Sequence, residues 1–281
     1  MISVVIPAHN EAGVIRRCLT TLLDGVEPGA LDVVVACNGC SDDTAAIARS
    51  IDPTVRVVET DVASKAAGLN LGDEAARAFP RVYLDADVEL AGRDIVTLAA
   101  ALAGPDAPMA VAPELHVDTT RCTRPVAAYY EVWTSLPYVR GDWVGAGVYA
   151  LSEAGRRRFA EFPPIIGDDY FISRRFDGPG EQRRVRGISF TLRPPTSTAE
   201  LVRVLRRRRA GHLEHAAHMS TGDAPGRKEH HGRALARLAR DPRRWPALAV
   251  YATITAAGIV TGWWKARFGD LTTWERDSSS R

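Results

Sequence analysis

Cysteine is scarce in this 281-residue chain, with four residues too unevenly spaced for a disulfide framework, so a reducing cytoplasm is the expected location. Lysine is scarcer still: three lysines stand against 33 arginines. That arginine excess comes with no nucleic-acid-binding motif, and no nucleic-acid partner is expected. The amino terminus, Met1 to Pro7, lacks a basic region and is only a strand's length, so no signal peptide is read there. Nothing repeats, and the composition, 25% charged and 46% hydrophobic, excludes disorder, collagen and small disulfide scaffolds. What remains is a globular chain long enough for one large domain or two small ones.

The formal net charge of +2 conceals an asymmetry. Residues 1–120 carry 8 basic and 18 acidic side chains, and residues 121–281 carry 28 and 16. Such a division suits metal or polyphosphate chemistry, or a basic face turned to an anionic surface, and equally a mixed solvated exterior. Cys37 and Cys40 form a C-x-x-C. With no second pair and no nearby histidine, a structural or incidental role is expected of it rather than zinc or redox work.

Strand and helix signals alternate through the first hundred residues. Ser3–Ile6 reads as a strand buried on both faces and ending at Pro7. Asn10 or a neighbour is expected to cap the helix that follows. Leu31–Ala36, Val55–Thr60 and Val82–Leu84 read as further strands, with helices opening at Asp42/Asp43 and at Ser64. This order predicts an α/β fold, a mostly parallel sheet flanked by helices. Ligands of such sheets bind at the carboxyl ends of the strands. Asn10/Glu11, Asn38/Asp42 and Asp85/Asp87 all fall there.

Further on, a strand is expected at Met109–Pro113 and a helix over 121–137. Gly145-Ala146-Gly147 reads as a glycine-rich turn entering a strand, and Asp168-Asp169 as the start of a helix. Glu200–Arg209 reads as an amphipathic helix and Ser220–His231 as a linker or hinge. Pro246–Trp264 is an uncharged run of 19 residues, bracketed by Arg240, Arg243, Arg244 and Lys265 and by Trp245, Trp263 and Trp264. As a helix it would rise ~28 Å, about the ~30 Å of a hydrocarbon core. Three placements fit it: a buried helix, a segment lying at a membrane surface, or a span, the last weakened by its Ala, Gly and Thr content.

Two carboxylates one residue apart at a strand end, Asp85 and Asp87, can share a hard divalent cation if a turn at Ala86 brings both to the edge. In order, six segments resemble family 2 glycosyltransferases of the GT-A fold. They are Val4–Glu11, Val35–Thr44, Lys65-Ala66-Ala67-Gly68-Leu69-Asn70, Leu84-Asp85-Ala86-Asp87, Gly145–Gly147 and Gly167-Asp168-Asp169-Tyr170.

The resemblance covers about residues 1–210. It implies a Rossmann-like catalytic domain, with a nucleotide-sugar half at 1–105 and an acceptor half at 106–210, followed by a helical extension at 211–281. It also implies roles. Pro7, Ala8, His9 and Glu11 would hold the nucleoside, with Asn38 and Asp42 in the same pocket and Lys65 near the base or diphosphate. Asp85 would contact ribose or metal-bound water, and Asp87 would ligate Mn²⁺ or Mg²⁺, with His212 as a further metal or diphosphate contact. Asp169 takes the place of the catalytic base, beside Asp168. The family often has Asp at the position of Cys37, which reads the donor's base; losing that acceptor weakens a uracil preference and leaves guanine, thymine or a tolerant pocket open.

The implied activity is inverting, metal-dependent transfer from a nucleotide sugar to a glycan, lipid-linked or small hydroxyl acceptor, in cell-envelope glycan, glycolipid or polysaccharide synthesis. The alternative is a non-catalytic scaffold of the same fold serving a membrane assembly. A sugar nucleotidyltransferase would need a basic glycine-rich loop after the first strand, and Pro7–Glu11 offers none. The expected location is the cytoplasm, with the inner face of the plasma membrane as the surface the extension would meet.

Overall fold

A computed structural model describes residues 1–141, 144, 147–165, 167–218 and 226–268. Its strands are β1 (Ile2–Ala8), β2 (Leu31–Asn38), β3 (Arg56–Thr60), β4 (Arg81–Leu84), β5 (Ala110–Val117), β6 (Val148–Leu151) and β7 (Gln182–Leu192). The first four helices are α1 (Ile15–Leu23), α2 (Thr44–Ile51), α3 (Lys65–Ala75) and α4 (Gly92–Ala100). Then come α5 (Arg124–Trp133), α6 (Pro137–Arg140), α7 (Glu153–Arg156), α8 (Asp168–Arg175), α9 (Thr198–His218), α10 (Gly226–Leu238) and α11 (Trp245–Phe268). The sheet order is β3-β2-β1-β4-β6-β5-β7, and β6 alone runs against its neighbours. The expected mostly parallel sheet is therefore present, and it continues through both halves of the chain.

Alternation along the strands divides the core into two layers. Val4 and Ile6 of β1, Val33 and Val35 of β2 and Leu84 of β4 pack against α1, α2 and α4. Val5, Tyr83, Tyr149 and Leu151 face the other way, onto α3, α8 and the aromatic loop residues Phe159 and Phe162. A third cluster joins Val126, Tyr129 and Trp133 of α5 to Leu201 of α9 and to Ala247, Tyr251 and Ile254 of α11.

The buried polar groups are tied across the sheet. Asp32 accepts from the Ser3 hydroxyl at 2.8 Å and from the Arg77 amide at 2.9 Å, and pairs with Arg56 at 2.5 Å. Burial by itself would raise its pKa; the hydrogen bonds from Arg77, Ser3 and Arg56 reverse this and hold it below the ordinary carboxylate value.

Three expectations need correction. The first strand does not stop at Pro7 but runs to Ala8. The Ser3 amide donates toward Pro80, on the β4 side, so Pro7, two peptide pairs on, faces that side too. Pairing with β4 ends at Val5↔Tyr83, so the missing Pro7 N–H costs no ladder bond. Second, Asn10 does not cap α1; Val14 stands at that position without a side-chain cap. Third, part of the expected linker is helical: α10 begins at Gly226, while residues 219–225 lie outside the described residues. The long strand β7 was not anticipated, because its arginines and exposed positions give no apolar alternation.

Candidate active site

Parallel pairing aligns the carboxyl ends of β1 to β4 along one edge, with Ala8 opposite Cys37 and Asn38 opposite Thr60. Because β6 is antiparallel, its beginning lies at the same edge, Leu84 opposite Val148. The loops leaving these strands are laced together. Asn10, at φ +54°, accepts from the Ser41 amide at 2.5 Å and the Asp42 amide at 3.2 Å through its side-chain oxygen. His9 Nδ1 lies 2.5 Å from the Asn38 carbonyl oxygen, and the Glu11 amide donates to Thr44 Oγ1 at 2.7 Å.

Asp42 accepts from Ala12, from the Thr44 amide and from the Thr44 hydroxyl, so its carboxylate secures the loops and the start of α2. Asn38 is buried, and its Nδ2 has no hydrogen-bond partner among the described residues. Cys40 donates its thiol to the Ala8 carbonyl and accepts from the Asn10 amide. Burial, with the neighbouring Cys40 adding, pushes the Cys37 thiol up to about 12. The C-x-x-C is thus a structural tie rather than a reactive dithiol.

Asp85 and Asp87 sit on the turn that the sequence required. The Val88 amide donates to the Asp85 carbonyl at 3.0 Å, Ala86 is buried beneath, and Asp87 is exposed. The Asp85 amide in turn donates to the Gly147 carbonyl at 2.8 Å. Gly147 has φ +95°, and a Cβ there would come within 3.4 Å of the Asp85 carboxylate, so glycine both permits the backbone and leaves the carboxylate room.

No sequence pattern points to the next contact. Lys65, the first residue of α3, reaches Asp85 at 2.6 Å and Asp168, the first residue of α8, at 2.8 Å. Tyr149 donates to the other Asp168 oxygen at 3.3 Å. Asn70 ties α3 to the loop that precedes α8: its side-chain amide donates to the Phe162 carbonyl at 3.0 Å, and its side-chain oxygen accepts from the Phe162 amide at 2.8 Å. Gly167, at φ +101°, then turns the chain into α8, with Asp168 and Asp169 in its electropositive first turn.

Burial pushes the Asp85 carboxyl up to about 7; Lys65 opposes this, while Asp168 and Asp87 add to it. Burial also works against the Lys65 charge, but Asp168 and Asp85 outweigh it and raise its pKa. Desolvation, Asp168 and Tyr83 likewise raise Tyr149, which therefore stays a neutral donor.

Lys65, Asp85 and Asp168 are therefore brought together, Asp169 follows in the same helical turn, and Pro7, Ala8, His9, Glu11 and Asn38 line the adjoining strand ends. The His212 side chain, and Gly145 and Ala146 of the glycine loop, lie outside the described residues. Tyr149 was missed; its one sequence signal is its place two residues after Gly147, at the start of β6.

Residues 3–145, just over half of the chain, match the family model for glycosyl transferase family 2. The chain belongs to glycosyltransferase family 2. The solved structure of the mannosyltransferase PcManGT from Pyrobaculum calidifontis, in complex with GDP-Man and Mn²⁺, superposes with a TM-score of 0.64 at 20% identity, covering 95% of this chain and 87% of that one. Glucosyl-3-phosphoglycerate synthase from Mycobacterium tuberculosis gives a TM-score of 0.51 at 21% identity, covering 69% and 72%. Its complex with UDP gives 0.51 at 22%, covering 69% and 71%. Comparison with curated proteins found no match. The shared architecture establishes the GT-A fold, and family membership establishes this glycosyltransferase as an enzyme.

Proposed function

We propose that this glycosyltransferase uses a nucleotide-sugar donor and a divalent metal, and inverts the anomeric carbon as it transfers the sugar to a hydroxyl acceptor of a cell-envelope glycan, glycolipid or polysaccharide. The observation that carries this is the convergence of Asp85, Lys65 and Asp168 at the carboxyl edge, where the end of β4 meets the first residues of α3 and α8. The GDP-Man and Mn²⁺ named for one solved structure and the UDP named for another support the reading.

The residues fit a divalent cation. Asp85 and Asp87 stand on one turn at the carboxyl edge, with Asp87 exposed. Among the described residues no group of three or more Asp, Glu, His or Cys side chains forms an all-protein cage. This suits Mg²⁺ or Mn²⁺, which take one or two carboxylates and complete their shell with phosphate and water. Asp87 and Asp85 would hold the ion, with His212 as a further contact. When bound, it would offset the charge of the departing nucleoside diphosphate.

Residues 1–105 then form the donor half, 106–210 the acceptor half and 211–281 the extension. Pro7, Ala8, His9, Glu11, Asn38 and Asp42 hold the nucleoside. Lys65 bridges the two halves, so its ammonium stabilises negative charge on the donor side while fixing Asp168 on the acceptor side. Asp169 accepts the proton of the attacking hydroxyl, and Tyr149 and Lys65 orient the Asp168 carboxylate beside it. One base with attack opposite the leaving group gives inversion.

A panel of UDP-, GDP- and dTDP-sugars, scored for nucleoside diphosphate release with Mn²⁺ or Mg²⁺, tests this. Release with at least one donor, abolished by EDTA, is expected. Donor binding without release from any sugar would favour the scaffold reading, and release indifferent to EDTA would remove the metal.

A further inference from the structure

Helix α11 is apolar on both faces but covered on one. Ala247, Tyr251, Ile254, Gly258 and Gly262, spaced by three or four residues, are buried. Gly258 lies against Leu205 and Gly262 against the stem of Arg209, so α9 and α11 run closely side by side. The opposite stripe holds Trp245, Pro246, Ala249, Ala252, Thr253, Ala256, Ile259, Val260, Trp263 and Trp264 at helical spacing, all exposed. Trp245, Ile259, Val260, Trp263 and Trp264 are each between 46% and 60% exposed. No charge occurs from Trp245 to Trp264, whereas a helix facing water carries its polar residues on such a stripe.

We propose that this stripe docks flat on an anionic lipid bilayer. Three features select that occupant. Tryptophans mark both ends of the stripe, as amphipathic rings do at the headgroup level. Arginines flank it, Arg240 and Arg243 exposed before it and Arg267 after it, which suits anionic headgroups and not a second apolar surface. The whole second half is basic.

By length and composition the segment Pro242–Trp264 would also cross a membrane. The packing argues against crossing. Arg206 to Arg209 of α9 run beside Gly258 and Gly262, and a spanning α11 would carry these arginines into hydrocarbon at a cost of several kcal/mol. Lying in the interface keeps them in the headgroup region.

The test uses the full-length protein with phosphatidylcholine vesicles, with and without phosphatidylglycerol. Co-sedimentation with the anionic vesicles at low salt, release at high salt, and quenching of tryptophan fluorescence by brominated lipid are expected. A double variant, Trp263→Ser with Trp264→Ser, should weaken vesicle binding by about 10-fold or more with an unchanged circular dichroism spectrum. Four results would overturn the proposal: a soluble protein indifferent to both vesicles, a double variant that binds as well as wild type, extraction by detergent alone, or a dimer that shields these tryptophans without binding lipid. None of them bears on donor turnover, so this proposal and the catalytic one fail separately.

Discussion

At the carboxyl edge of the sheet charged groups are drawn inward, whereas on α11 large apolar groups are held outward. Both invert the usual partition of residues between core and solvent. They differ in how the inversion is offset. Lys65, Asp85 and Asp168 satisfy one another across three elements, with Tyr149 completing the set. The exposed tryptophans and aliphatics of α11 have no comparable surface within the described fold to cover them as a stripe. Buried charges gathered at the carboxyl edge of such a sheet, where its ligands bind, suit chemistry carried out inside the protein. An exposed apolar stripe marks an interface completed from outside it.

The largest expected effect tests the first region. Asp169→Asn should lower kcat by about 10²–10⁴-fold, the range for losing a general base, while donor affinity from equilibrium titration stays unchanged. If Asp168→Asn is instead the crippled variant and Asp169→Asn turns over normally, the base is the residue that Lys65 and Tyr149 hold.

The two faces of α11 should respond in opposite ways to substitution. A Cβ on Gly258 would lie 2.7 Å from Leu205 Cβ. Gly258→Leu should therefore cost about 1–3 kcal/mol in chemical denaturation. Trp264→Ser, on the exposed face, should stay within about 0.5 kcal/mol of wild type. Equal costs on both faces would mean that the outward stripe is covered in the free protein.

A pH-dependent effect concerns a buried charge that serves the fold alone. The Asp32 pKa is lowered in the folded protein, so its stabilisation is present above the ordinary value of 3.8 and is lost as the pH falls below it. Asp32→Asn should therefore be less stable than wild type by about 1–3 kcal/mol at neutral pH. The gap should close as denaturation is repeated at successively lower pH below 3.8. A gap independent of pH would assign the loss to shape and not to charge.

The strand-helix alternation of the first hundred residues was legible because β1 and β2 are apolar along most of their length and short polar turns separate the strands from the helices. The turn at Ala86 was legible too, since two carboxylates one residue apart require it if they are to share an edge. Asn10 was misread for the opposite reason. Its side chain bonds Ser41 and Asp42, some thirty residues away, and no local pattern records that choice. β7 escaped notice because strands near a sheet edge need no continuous apolar face, and its arginines hid the period.

The sequence by itself determined the order of the elements in the first hundred residues, the family, and which loops carry polar residues, because periodicity and turn chemistry act over a few neighbouring residues. Only the tertiary structure decided that Lys65 lies between Asp85 and Asp168, that Asp42 bonds Ala12 and Thr44, and that α11 turns its tryptophans outward. Those outcomes depend on contacts between segments 20 to 103 residues apart, as in Lys65 to Asp85 and to Asp168, and on which face of a uniformly apolar helix finds a partner. An apolar face carries no mark of what will cover it until its neighbours are in place.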